Sequence, residues 1–426
     1  MKLTLRPGIK LGAAISILLT TIFLSPGRSE APDEHARLVK DINPALNFAA
    51  DSLPSRVVEV GGIGFFAADD GANGRQLWRT DTTADGTVLV DAVWIGIGPI
   101  GPSMINVNGN VFFVARGQTG GTGIGLWKSD GTAAGTADLT EDKDLPEITG
   151  LSTINNQVFF VARRRTGRTE LWKSDGTVEG TVLVRDIGSG TVDQPVAVGG
   201  TLFFSAFNSD TGRELWKSDG TTAGTALVKD INPGSASSFA SNLTTAGANV
   251  FFWAFLPDTG TELWKSNGTT AGTVLVKDIN PGAGSSGPFA LTTVDGNIFF
   301  PASLPEIGTE LWKSDGTTAG TVLVRDVNPG PGSSVPFDLV NVHGTLFFSA
   351  DSPGFGKELW KSDGTAEGTL MVSDLTPGPA STLFSGSSLA KGDTLFFGAS
   401  VSGNSELFKS DGTKSGTVMV KDIFPG

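Results

Sequence analysis

The sequence predicts an all-β protein: an eight-bladed β-propeller with four-stranded blades. Three observations lead there. An anchor ring recurs at Trp78, Trp127, Trp172, Trp216, Trp264, Trp312, Trp360 and Phe408, at spacings of 44 to 49 residues. A fixed period in that range marks a solenoid, propeller or array. Around each anchor lie short runs rich in β-branched and aromatic side chains, bounded by Gly, Pro, Asn and Asp; such runs favour strands. No segment after residue 37 carries a 3.6-residue apolar period, so helices have no signal. A β-solenoid is the rival architecture, but its repeats are usually shorter.

In chain order, the N-terminus comes first. Lys2, Arg6 and Lys10 precede a largely apolar run from Leu11 to Leu24, and small residues follow at Ser25, Gly27 and Ser29. This is the layout of a secretory signal peptide, and the run is too short for a standard membrane-spanning helix. Residues 1–29 are therefore read as a signal, 30–37 as a polar leader, and 38–426 as one propeller domain. The expected destination is outside the cytoplasm: secreted, on the cell surface or in the periplasm. No membrane span is expected in the mature chain.

The sixth unit shows the repeat best. Ala290 to Val294 is the innermost strand, and Asp295-Gly296 signals a tight hairpin turn. Asn297 to Ala302 is the second strand and Thr309 to Ser314 the third. Asp315 to Gly320 is a turn, and Thr321 to Val327 is the outer strand. The longest linker of each unit follows the outer strand, as a crossing from rim to axis requires. Runs such as Leu346-Phe347-Phe348 do not alternate, as expected for a sheet buried on both faces. Leu38 to Pro44 repeats the end of a unit and the chain finishes on a further copy, Val418 to Gly426, so the ring is expected to close by strand exchange; Leu38 to Ile42 can pair onto the last blade, and which terminal copy takes the closing position is left open. Closure would protect an open sheet edge.

Residues Glu170 to Ile187 read ELWKSDGTVEGTVLVRDI, and Glu262 to Ile279 follow the same pattern. In this the chain resembles the bacterial ELWxxDGT-repeat proteins over nearly all of residues 38–426. The resemblance implies secretion and repeat architecture and no established reaction. Departures lie early: Gln76 and Thr82 in the first unit, then Gly125 and Ala137 to Thr140 in the second.

The formal charge of −13 argues against a nucleic-acid partner. Cysteine is absent, which removes disulfides, thiolate nucleophiles and cysteine-ligated metals. Asp175, Asp219, Asp315, Asp363 and Asp411 of the DGT turns could ligate calcium. Asn267 fills the same position without charge, so an Asx-turn is the preferred reading, and no cofactor is expected. Asp69-Asp70-Gly71-Ala72-Asn73-Gly74 is a second oxygen-rich loop, read as a polar loop rather than a calcium site. The Trp ring is read as core rather than as sugar-stacking platforms, because Phe408 replaces one member. The Ser pairs Ser237-Ser238, Ser285-Ser286 and Ser333-Ser334, beyond the Asn-Pro-Gly turns, are read as solvating a crossing loop. The histidines are His35, in the leader, and His343, in a hairpin-turn position. A histidine-dependent triad therefore has no candidate, no catalytic residue is assigned, and no carboxylate pair stands out.

One loop is chemically distinct. Between the second and third strands of the third unit stand Arg163, Arg164, Arg165 and Arg168, where sister loops are neutral or acidic. Guanidinium forks suit carboxylate or sulfate. The bland alternative is neutralisation by Glu141, Asp142, Asp144 and Glu147, expected on the same face. The functional expectation is a non-enzymatic binding or surface-interaction module whose partner is a polysaccharide or cell-surface component. The alternatives are a multivalent carbohydrate-binding lectin and a propeller that scaffolds a hydrolase or lyase.

Overall fold

The computed structural model describes residues 38–43 and 52–421, apart from 53, 56, 73, 92, 94, 96–103, 117–123, 191, 193, 194, 387 and 402. The signal and leader lie outside the described residues. Eight antiparallel sheets follow one another along the chain; seven are four-stranded meanders of consecutive strands, and in the eighth the inner edge is divided between Leu383–Phe384 and Leu389–Lys391, both paired with Thr394–Val401. They form the predicted eight-bladed propeller. In blade six the strands are Thr292–Val294, Asn297–Leu304, Gly308–Ser314 and Val322–Arg325. The inner strands neighbour one another around the axis. Their side chains tie successive blades together: Asn106 Nδ2 donates to Glu59 O (2.9 Å), Thr293 Oγ1 to Thr245 O (2.6 Å) and Asn341 Nδ2 to Thr293 O (3.0 Å).

The core sits between blades. Val294, Phe299, Leu311 and Val324 of blade six pack on Leu346, Phe348, Ala350 and Trp360 of blade seven. Strand alternation sends Phe299 to one neighbour and Phe300 to the other. This is why the Phe-Phe pairs do not alternate with polar residues. Phe300 lies opposite Trp312 in the hairpin register. Trp312 is only 6% exposed and Phe408 5%, which makes the aromatic ring of the repeat a core element.

The DGT turn is an Asx-turn. Asp315 Oδ1 accepts from Thr317 N (2.8 Å) and Thr317 Oγ1 (2.7 Å), and Thr317 Oγ1 accepts from Gly320 N (2.9 Å). Asn267 Oδ1 makes the corresponding two bonds at 3.0 and 2.7 Å. Gly316 takes a left-handed φ of 85°, the conformation glycine tolerates best. Gly320 is required for a different reason: a Cβ there would stand 2.1 Å from Asp315 Oδ1.

Of the two terminal copies, the C-terminal one takes the closing position, so the outer strand of blade eight is not exchanged with the N-terminal segment. The outer strand of blade eight is Val418–Lys421, from the C-terminal copy, paired with Asn404–Ser410. Leu38 to Asn43 forms no strand. It lies instead on blade one, where Ile42 packs against Val57, Phe66, Ala68 and Trp78. The physical reason is that the edge of Asn404–Ser410 is already occupied by the chain's own next segment.

Candidate functional site

A carboxylate clasp recurs in blades four to seven. Glu310 is completely buried. Its Oε1 accepts from Ser334 N (2.8 Å), and its Oε2 accepts from Ser334 Oγ (2.6 Å) and Val327 N (2.9 Å). Glu214 and Glu262 hold Ser238 and Ser286 in the same way, and Glu358 holds Thr382. Burial raises the pKa of each glutamate, and the donated hydrogen bonds oppose the rise. The expectation that these Ser pairs solvate a loop is corrected. Ser238, Ser286 and Ser334 are buried, and their partners Ser237, Ser285 and Ser333 accept from the amides of Arg213, Thr261 and Thr309. A charged group inside a protein must be hydrogen-bonded, and here one carboxylate pins the crossing loop to the third strand. Sequence reasoning gave these glutamates no role. The available signal was a Ser or Thr always 24 residues after the Glu.

Blades two and three depart from the clasp and show what replaces it. Gly125 stands where six units have Glu and the first has Gln76, and the Asp138 carboxylate lies within 2.6 Å of where its Cβ would be. Asp138 Oδ1 accepts from Thr140 N and Oγ1 (2.8 and 2.9 Å), and Thr140 Oγ1 accepts from Leu126 N (2.9 Å). In blade three no Asn-Pro-Gly-Ser loop follows the outer strand. Glu170 Oε2 is satisfied by Arg164 Nε (2.8 Å) and Trp172 Nε1 (2.9 Å) instead.

This places the arginine cluster. Arg164 also donates to Lys143 O (2.6 Å) and Asp144 O (3.3 Å), and its guanidinium lies 5.5 Å from the Trp172 ring centroid. Arg165 pairs with Asp144 (3.5 Å) and Arg168 with Asp186 (2.5 Å). Arg163 ends its strand exposed, opposite Glu147 in register. Three of the four arginines are thus engaged by groups of the surrounding loops and strands. Arg164 completes a buried carboxylate.

His343 occupies a hairpin turn with φ 44°, as its sequence position suggested. Its Nδ1 lies 2.5 Å from Asp393 Oδ1, in the corresponding turn of blade eight. Both side chains are well exposed. With the carboxylate accepting, the Nδ1 carries the proton. The described part of the Asp69–Gly74 loop is closed by its own Asx contacts, Gly71 N to Asp69 Oδ1 (2.7 Å) and Ala72 N to Asp70 Oδ1 (3.0 Å); Asn73 lies outside the described residues. Among the described residues, no three His, Cys, Asp or Glu side chains gather where they could hold a metal ion. No helix among them is long and apolar enough to cross a membrane.

No protein-family model and no curated protein matches the chain. Solved structures do. A puromycin hydrolase aligns at 14% identity with a TM-score of 0.41, over 76% of this chain and 54% of its own. A prolyl endopeptidase structure aligns at 11% identity with a TM-score of 0.46, over 83% and 55%. The β-propeller domain of the Trilobed protease from Pyrococcus furiosus aligns at 12% identity with a TM-score of 0.41, over 74% and 96%. The chain spans about half the length of the puromycin hydrolase and the prolyl endopeptidase. These neighbours are hydrolases and peptidases, and the expected non-enzymatic binding module finds no counterpart among them. At such identities and scores, the likeness carries no activity over to this chain.

Proposed function

We propose that this chain is a propeller that scaffolds a hydrolase, exported from the cytoplasm, with His343 and Asp393 as the proton-handling part of its site. The observation that carries the reading is the 2.5 Å contact between the two side chains, made across adjacent blades at the inner hairpin turns. An imidazole whose Nδ1–H is held by a carboxylate is the base-and-orienter half of a hydrolytic constellation. Among the described residues, Nε2 has no hydrogen-bond partner. Nε2 accepts a proton as water adds to a carbonyl carbon, then returns it to the leaving group. The blades supply rigidity, since their buried carboxylates are consumed by the clasps. The ELWxxDGT resemblance belongs to the same proposal: the Glu, Asp, Gly and Thr of that pattern each have a distinct bonding role here.

The test is turnover of activated aryl esters and fluorogenic peptides by the chain lacking residues 1–29. His343→Ala is expected to lower kcat by about 10²-fold or more with the circular dichroism unchanged. No turnover of either substrate class would sink the hydrolase reading. Unchanged kcat in the variant would move the site away from His343.

A further inference from the structure

Seven of the eight blade junctions are built alike, and one is not. In blade seven, the residues facing the next blade are Val342, Phe347, Leu359 and Val372, all buried in one cluster with Leu395, Phe397 and Phe408. Blades one, three, five and six bury the same four positions. In blade eight these positions are Lys391, Phe396, Leu407 and Val420, and none of them is buried. Among the described residues, no cluster spans the junction from blade eight to blade one: the Ile42 cluster contains blade-one residues and no blade-eight residue. Lys391 stands where six other blades have a buried Val, Ile or Ala. Among the described residues its Nζ is buried without a hydrogen-bond partner, and burial outweighs its attraction to the Glu59 carboxylate of blade one. A lysine there keeps the two faces from packing as the others do.

The blade-one side of this junction is covered by Leu38–Asn43, whose LVKDIN is identical to Leu227–Asn232 and Leu275–Asn280. It also sits as they do. Lys40 Nζ donates to Thr87 O (2.8 Å), as Lys229 does to Thr273 O and Lys277 to Thr321 O, both at 2.8 Å. Ile42 occupies the place that Ile279 takes against the next blade. Yet Leu38–Asn43 has no strand pairing with blade eight, whose outer edge is Val418–Lys421. The segment thus fills the docking slot of an outer strand without being held by the sheet that normally delivers it.

We propose that the ring has one opening junction, between blades eight and one, and that Leu38–Asn43 is the detachable latch that closes it. Opening exposes the blade-eight face of Phe396, Leu407 and Val420 and the blade-one face of Phe66 and Trp78, while the other seven junctions stay packed. Lys391 weakens the junction, and Lys40 with Ile42 holds it.

Hydrogen–deuterium exchange on the whole chain tests this without any variant. The strands of blades one and eight that face the junction should exchange about tenfold or more faster than the matching strands of blades five and six. Lys40→Ala with Ile42→Asp should accelerate exchange in blades one and eight alone. Lys391→Val should slow it there. Equal protection around all eight blades would overturn the proposal, as would a double variant whose exchange in blades one and eight is unchanged. Should the double variant fail to fold, the unmodified chain and Lys391→Val still decide.

Discussion

At the scale of single residues, the repeat separates groups that need a charge from groups that need a shape. Asp315 needs only its acceptor, since Asn267 makes the same two bonds. Asp315→Asn is expected to shift stability by no more than about 0.5 kcal/mol. Gly320→Ala is a different case. Its φ is not in the left-handed region, but the new methyl would meet the Asp315 carboxylate at 2.1 Å. The turn must open to accept it, at a cost of about 1–3 kcal/mol. Urea midpoints for the two variants check the contrast, and equal midpoints would refute it. Thr82 carries the opposite lesson. It stands where the other turns have glycine, at φ 77°, and its amide still donates to Thr80 Oγ1 (3.0 Å). A β-branched residue there is strained, so Thr82→Gly is expected to stabilise by about 1 kcal/mol despite glycine's greater unfolded-state entropy.

At the scale of the element, the crossing loop is fixed by a carboxylate, and different blades solve this problem with different partners. Blades four to seven use a Ser or Thr, blade three an arginine and blade two an aspartate from the neighbouring strand. Ser334→Ala removes a hydroxyl donor to Glu310 and should cost about 1–3 kcal/mol. Arg164→Ala should cost a similar amount, because Glu170 then keeps only the Trp172 indole of its two side-chain donors. Arg163→Ala should stay within about 0.5 kcal/mol, since its exposed side chain completes no buried group. Thermal denaturation of the three variants measures the ordering. An Arg164→Ala variant as stable as Arg163→Ala would mean that the arginine is not the partner on which the buried carboxylate depends.

At the scale of the whole molecule, two sets of carboxylates pull stability in opposite directions with pH. Burial raises the pKa values of Glu214, Glu262, Glu310 and Glu358 in the folded state. Their contribution is full below the unfolded glutamate value of about 4.3 and is lost as pH rises through the folded value. Thr hydroxyls lower the pKa values of Asp175, Asp219, Asp315, Asp363 and Asp411. Their contribution is full above about 3.9 and is lost as pH falls through the folded value. Stability should therefore rise on acidification from neutral pH and collapse below the aspartate range, and the relief of repulsion among −13 formal charges adds to the rise. Melting temperatures from pH 3 to 8 test this. A melting temperature that climbs steadily with pH from 4 to 7 would refute it.

The sequence by itself determined the architecture. Eight aromatic anchors at one period, Asp-Gly turns and unbroken apolar runs specify four strands per unit and blades buried on both faces, because turn chemistry and strand pattern are local properties that eight copies state redundantly. It also determined that Asp315 and its sisters are turn residues, since Asn267 lies within the chain as a natural control. Tertiary structure decided where charges found partners. Glu310 meets Ser334 across 24 residues, Arg164 meets Glu170 because a loop is missing, and His343 meets Asp393 from the next blade. The clasp and the His343–Asp393 contact depend on how crossing loops and blades stack, and the Arg164–Glu170 contact, within one hairpin, on which donors the missing loop left to that carboxylate. The closure of the ring is of the same kind. Leu38–Asn43 and Val418–Lys421 carry closely similar sequences, and only competition for one sheet edge and one slot assigned each its place.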